Sequence, residues 1–246
     1  MIGSLQTSRG CPFECEFCSV QAYAGRRQRY KPLAHILKEL DVLYTSGYRN
    51  IFLVDDNLTA NRRRAKELLT TLRAWNNQRP QGKVRFVTEV SLDIAREDDI
   101  LSLCAEAGLT EVLIGIETPN EKSLQEINKR QNIGIDLKDS IQRFVDHNIC
   151  VIGHMMVGFD ADTLAIFEQQ CQFAMTTPIP IFLVWTLMAA IGTPSLRAVK
   201  TCRAGCQRSL YGVMGYQYHP PADDQGGVAD RVSLACQSAL SSCRLR

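Results

Sequence analysis

Long hydrophobic runs are missing from this 246-residue chain. The longest, Ile181 to Ile191, falls well short of the ~18 to 20 apolar residues that a membrane-spanning helix requires, so no transmembrane segment is expected. A strong excess of charge is missing too. The formal net charge is +2, which gives no reason to expect nucleic acid or an anionic membrane as a partner. The opening "MIGSLQTSRG" lacks a charged stretch followed by an apolar core, so no secretory leader is expected and a cytoplasmic location is. In a reducing compartment disulfides do not persist, yet the chain has ten cysteines. Cysteine used there points to metal binding before it points to cross-links.

What is present is ordinary in bulk: hydrophobic residues make up 45% and charged residues 22%, as in a soluble globular protein. The length suits one large domain. Short β-branched runs recur at "GSLQTS", "NIFLVDDN", "VRFVTEVS", "EVLIGIET", "CVIGHMMVGF" and "IPIFLVWTLMA". Amphipathic segments separate them. In "PLAHILKELDVLYTSG", Leu33, Ile36, Leu37, Leu40, Leu43 and Tyr44 share one helical face, with Pro32 suited to the entry and Gly47 to the exit. "RRRAKELLTTLRAW", "EDDILSLCAEAG" and "DLKDSIQRFVDHN" behave alike. Continuous apolar strands alternating with helices predict a buried parallel sheet. The fold class is therefore α/β: a partial (β/α)6 TIM-like barrel with parallel strands, the alternative being an open doubly wound sheet.

From Gly192 onward the pattern stops. Residues 192–246 are expected to form an atypical, irregular tail, truncated or frame-shifted relative to a natural continuation of 1–191. Its Cys202, Cys206, Cys236 and Cys243 have no usual zinc spacing.

The chemistry concentrates in "TSRGCPFECEFCSV", where Cys11, Cys15 and Cys18 are spaced C-x3-C-x2-C. A disulfide would use two and strand the third. Structural zinc wants four closed ligands, and the nearest histidine, His35, lies on a helical segment beyond a long loop. An iron–sulfur cluster held by three cysteines leaves one iron open to a ligand, as catalytic metals keep an open position. The triplet follows the first strand, and in a parallel barrel the loops after strands carry the site. Phe13 and Phe17 would shield a cluster from water. Three free cysteines at a turn is the plain alternative.

These residues resemble a family. The triplet, with an aromatic residue before its last cysteine and opening a six-fold βα pattern, is similar to the radical S-adenosylmethionine (radical SAM) enzymes. "QTSRGCPFECEFCS", "IFLVDDNLTAN", "VTEVSLDIA", "IGIETPNEKSLQEINKRQN" and "MMVGFDAD" resemble members with an N-terminal cobalamin-binding domain, hopanoid methylases among them. The resemblance implies that Cys11, Cys15 and Cys18 bind a [4Fe–4S] cluster whose free iron chelates S-adenosylmethionine. It also implies reductive cleavage of that cofactor, and then methylation or other modification of an unactivated carbon. The expected partners are a small-molecule or lipid-like substrate and a reductant protein such as a flavodoxin or ferredoxin. Cobalamin would come only through a domain absent from this chain.

Several strands end in polar residues, on the side where a barrel builds its site. Asp55, Asp56 and Asn57 match the family segment that meets the methionine amino group, although Asp56 or Asn57 could instead cap a helix starting near Thr59. Glu89 and Glu117 match positions near the ribose and methionine ends, the alternative being a structural ion pair with an arginine. Phe17, Ser91 and Gly158 complete the expected cofactor contacts, with Gly115 a further point of close backbone approach. His154 is expected to be satisfied inside the barrel, "GRRQRYKP" to be a solvated loop, and Cys104, Cys150 and Cys171 to fill the core. An iron–sulfur electron-transfer protein that recruits Cys104 as a fourth ligand, a catalytically dead fragment and a zinc-dependent nucleic-acid binder are the competing functions.

Overall fold

A computed structural model describes residues 1–188 and 190–195. Six strands form one sheet: β1 (Ile2–Leu5), β4 (Asn50–Leu53), β5 (Arg85–Val90), β6 (Leu109–Glu117), β7 (Cys150–Val157) and β8 (Ile181–Thr186). They lie side by side in chain order, and every pairing is parallel. All six runs picked out by their β-branched residues are these strands. β1 and β8 are the two edges, so the barrel is partial and open along one side. The expected character of 196–246, including the four tail cysteines, lies outside the described residues.

The helices α2 (Leu33–Thr45), α3 (Arg62–Asn77), α4 (Asp98–Ala107), α6 (Leu137–Asp146) and α7 (Ala165–Thr176) are the crossovers. α3 begins at Arg62, not near Thr59. The side chain of Asn61 accepts a hydrogen bond from the Arg64 amide at 3.1 Å and so caps it. Ala65, Leu68, Leu69 and Leu72 then fall on one face and are buried. The helices cover one side of the sheet. Ile51, Leu53, Phe86, Val112, Ile114 and Val151 join Ile36, Leu40, Leu69, Ile100, Leu101 and Phe144 in a single core. Each such side chain, fully buried, contributes about 1.5–3 kcal/mol of transfer free energy. Cys104 belongs to this core at 0% exposure, whereas Cys150 and Cys171 are only half-buried.

Alternation along the strands turns the remaining side chains to the concave side. Glu89, Leu113, Gly115, His154, Met156 and Trp185 emerge there, and they meet the loops at the carboxyl ends of the strands.

Candidate active site

The cysteine loop is held by a small clamp. β2 (Ser8–Arg9) pairs antiparallel with β3 (Arg29–Tyr30), so the basic segment expected to be a solvated loop forms half of a ribbon. At the turn, Gly10 has φ +100°, and a β-carbon there would stand 2.7 Å from the Arg27 carbonyl oxygen. Only glycine fits. The amides of Cys11 and Glu16 donate to the carbonyls of Gly25 (3.3 Å) and Ile127 (3.0 Å), which fixes the loop at two points.

The loop brings Cys11, Cys15 and Cys18 to one cavity of about 290 Å³, which Phe17, Asp56, Asn57, Glu89, Ser91 and Glu117 also line. Among the described residues no three histidine, cysteine or acidic side chains lie close enough to share a single ion. In a cubane each thiolate takes a different iron, so the thiols that hold one stand further apart than the ligands of one zinc. Burial pushes the Cys11 thiol up to about 11, with help from Cys15 and Cys18. Cys18 is raised as well, again mainly by burial. Gln131 Nε2 donates to the sulfur of Cys15 at 3.5 Å. Cys104 is not on this cavity. It sits in α4, in the core behind the sheet, where burial raises its thiol to about 12. It cannot complete a four-cysteine cluster without unpacking that core.

Two expected cofactor contacts lie elsewhere. Asp55 is buried at 3% exposure, and its carboxylate is saturated. Oδ1 accepts from the amides of Thr7 (2.6 Å) and Ser8 (3.0 Å), while Oδ2 accepts from both hydroxyls. Asp55 is thus a tether between the ends of β1 and β4 and has no lone pair to offer a ligand. Gly158 is off the cavity as well. Its left-handed backbone, φ +101°, turns the chain after β7, and its amide donates to Asp162 at 3.0 Å.

The other acidic residues face inward. Asp56 accepts from the Gly10 amide (2.6 Å) and the Tyr23 hydroxyl (3.0 Å). Asn57 forms a turn of its own, its side-chain oxygen accepting from the Thr59 amide at 3.2 Å. Neither residue caps α3. The Glu89 carboxylate has no hydrogen bond or ion pair among the described residues, and its pKa is raised, first by burial in the concave wall and then by Asp56. The Ser91 hydroxyl is buried without a partner.

Glu117 stands at φ +67°, where the pairing of β6 with β7 shifts register. Such a bulge re-aims a side chain, and here it sends the carboxylate into the cavity. There Lys129 Nζ meets Glu117 Oε1 at 2.5 Å, and only 12% of the lysine side chain is exposed. The partner is a lysine rather than an arginine. Gly115 makes room for the pair, since a β-carbon would come within 2.3 Å of Glu117 Oε1 and 2.7 Å of Lys129 Nζ.

Lys129, Gln131, His154 and Trp185 also line the cavity, and sequence reasoning missed all four. His154 is not satisfied in the barrel, because its Nε2 is buried without a partner. Burial lowers its proton affinity, so the ring is neutral at neutral pH. Lys129 and Gln131 lie in an aperiodic stretch after the short helix α5 (Glu121–Glu126), where no pattern marks them.

A parallel partial barrel with three thiols and three carboxylates around one cavity, at the carboxyl ends of its strands, has the architecture of an iron–sulfur barrel enzyme. The chain matches the Radical SAM superfamily over residues 5–174 and belongs to that family. It is 39% identical to an uncharacterized methyltransferase of Synechocystis sp. over 72% of this chain and 33% of the relative. It is 33% identical to the hopanoid C-2 methylase of Rhodopseudomonas palustris over 79% of this chain and 37% of that enzyme. The chain thus spans about a third of either relative. Among solved structures, TsrM, a radical S-adenosylmethionine methyltransferase from Kitasatospora setae with cobalamin and a [4Fe–4S] cluster bound, superposes with TM-score 0.74. The superposition covers 85% of this chain and 41% of that one at 17% identity, a likeness of fold.

The family's cofactors are a [4Fe–4S] cluster and S-adenosylmethionine. The cavity fits them chemically. It has three thiols for iron, more carboxylates than cations for a ligand that carries an ammonium and a sulfonium, and buried unpartnered polar atoms on Ser91, Gln131 and His154. Among the described residues no helix is long and apolar enough to cross a membrane.

Proposed function

We propose that residues 1–191 are the core of a radical SAM enzyme that modifies a small-molecule substrate, by methylation in the first instance. Cys11, Cys15 and Cys18 hold three irons of the cluster. When bound, the cluster would supply the single electron for reductive cleavage of S-adenosylmethionine. Asp56 and Glu89 face the cationic end of the cofactor, Ser91 offers its free hydroxyl to the sugar, and Glu117 is held beside them by Lys129. Phe17, packed with Ile127, Met156, Phe159 and Leu187, keeps water from the thiolates. The electron comes from an external one-electron donor of the flavodoxin or ferredoxin kind.

The substrate reading is an apolar molecule. Leu183 and Trp185 stand 37% and 54% exposed on the edge strand, and Trp185 joins Leu113 and Met156 on the cavity wall. A hopanoid methylase, whose name denotes a lipid substrate, is among the relatives.

The observation that carries the proposal is the convergence of three thiols and three carboxylates on one cavity. Anaerobic reconstitution with iron and sulfide, followed by electron paramagnetic resonance of the reduced cluster with and without S-adenosylmethionine, tests it. The expected result is a cluster signal that changes when the cofactor is added. A signal indifferent to the cofactor would overturn the proposal in favour of a simple electron carrier.

A further inference from the structure

Lys129 is the only lysine or arginine among the described residues lining the cavity, against Asp56, Glu89, Glu117 and three cysteines. A lysine buried to this degree usually stays charged only with a close partner. Glu117 is that partner at 2.5 Å. Lys129 also approaches the cysteine loop. Its ammonium lies 5.8 Å from the centre of the Phe17 ring, between Cys15 and Cys18 in sequence.

The segment around it is stitched to the same loop. The Glu16 amide donates to the Ile127 carbonyl at 3.0 Å, Asn128 Nδ2 donates to the Glu14 carbonyl at 3.0 Å, and Gln131 Nε2 reaches the Cys15 sulfur at 3.5 Å. Asn128 takes the left-handed φ of +56° that reverses the chain after α5. Four residues of a loop therefore carry one fixed positive charge to the face where three thiolates gather.

We propose that Lys129 is a positioning residue for the electron-uptake step, its buried charge raising the reduction potential of the centre held by Cys11, Cys15 and Cys18. The inference rests on the radical SAM reading of those cysteines. The physics is simple. A one-electron donor is oxidised, the centre gains that electron, and no bond is made or broken in this step. With three thiolates the oxidised centre is already anionic, so the added electron enters against negative charge. A cation in a site of low dielectric offsets that repulsion far more than one in water would. Glu117, 2.5 Å from the ammonium, opposes the effect, and removing both charges separates the share of each.

The test is an anaerobic redox titration of the reconstituted full chain, followed by electron paramagnetic resonance without S-adenosylmethionine, so that cofactor contacts play no part. Lys129→Met is expected to make reduction harder by about tenfold in the equilibrium constant, about 59 mV for one electron. Lys129→Arg should stay within a quarter of that shift. Because Lys129→Met leaves Glu117 buried and unpaired, the double variant Lys129→Met/Glu117→Gln is titrated as well. Its midpoint should fall between those of wild type and the single variant. A loaded variant lacking the lysine with a wild-type midpoint overturns the inference alone and leaves Lys129 a structural partner of Glu117. A wild-type chain that takes up no iron overturns this inference and the proposed function together. Loss of iron from both variants lacking the lysine, with Lys129→Arg loaded and unshifted, supports a charge requirement at the centre.

Discussion

Asp55→Ala gives a sharp test of how the site is braced. In the folded protein Asp55 Oδ1 accepts from two backbone amides, and Oδ2 accepts from the Thr7 and Ser8 hydroxyls. Removing the carboxylate strands both amides in a region where Thr7 is 3% and Ser8 6% exposed. The hydroxyls can rotate toward other acceptors; the amides cannot. Each orphaned donor costs about 1–3 kcal/mol, and relief of the buried charge returns part of it, so the net loss is about 3 kcal/mol. That is a large share of the ~5–15 kcal/mol that holds a domain folded. Asp55→Asn should be far milder, about 1 kcal/mol. Its remaining oxygen can still serve both amides, and the hydroxyls can turn to accept from the new NH2 group. Urea unfolding followed by far-ultraviolet circular dichroism, with unchanged slope, measures both. Because Thr7 and Ser8 lead into the cysteine loop, iron uptake should fall with Asp55→Ala and survive Asp55→Asn. Equal destabilisation by the two variants would refute the argument that the backbone amides dominate.

Other predictions follow from the same geometry. Cys15→Ala should bring iron uptake to background, whereas Cys104→Ala should keep it and lose only about 1 kcal/mol from the core, as read by iron content and urea unfolding. Gly115→Ala forces the Glu117–Lys129 pair apart and should destabilise by about 3 kcal/mol, with weakened S-adenosylmethionine binding by calorimetry. Glu89 is raised above its ordinary 4.5 in the folded state. Its stabilising contribution is therefore complete below that value and is lost as pH rises through the folded one. In the cofactor-free protein, Glu89→Gln should accordingly raise the melting temperature near neutral pH. That advantage should vanish by about pH 4, and cofactor binding should weaken; an advantage unchanged across that range would contradict the sign.

Much of this protein could be read before any coordinates. Strand periodicity and helix faces depend on neighbours within a few residues, so all six sheet strands and four of the crossover helices were legible, as was the C-x3-C-x2-C loop. Asp56, Glu89, Ser91 and Glu117 were legible for a related reason: in a parallel barrel, polar residues at the ends of strands must collect at one rim.

What the chain could not disclose was how distant segments divide the polar groups among themselves. Asp55 and Asp56 are adjacent and chemically identical. Yet one is consumed by Thr7 and Ser8 from 48 and 47 residues away, while the other reaches the cavity. Lys129 finds Glu117 because a bulge in β6 turns the carboxylate inward and Gly115 leaves space. His154 Nε2 is left unpartnered because of what the neighbouring elements fail to offer it. Hydrogen bonding and ion pairing are short-ranged and directional, so they are decided only when the sheet register and loop clamps have set the distances. The local pattern determined the scaffold and its thiols, and tertiary packing decided which charges face them.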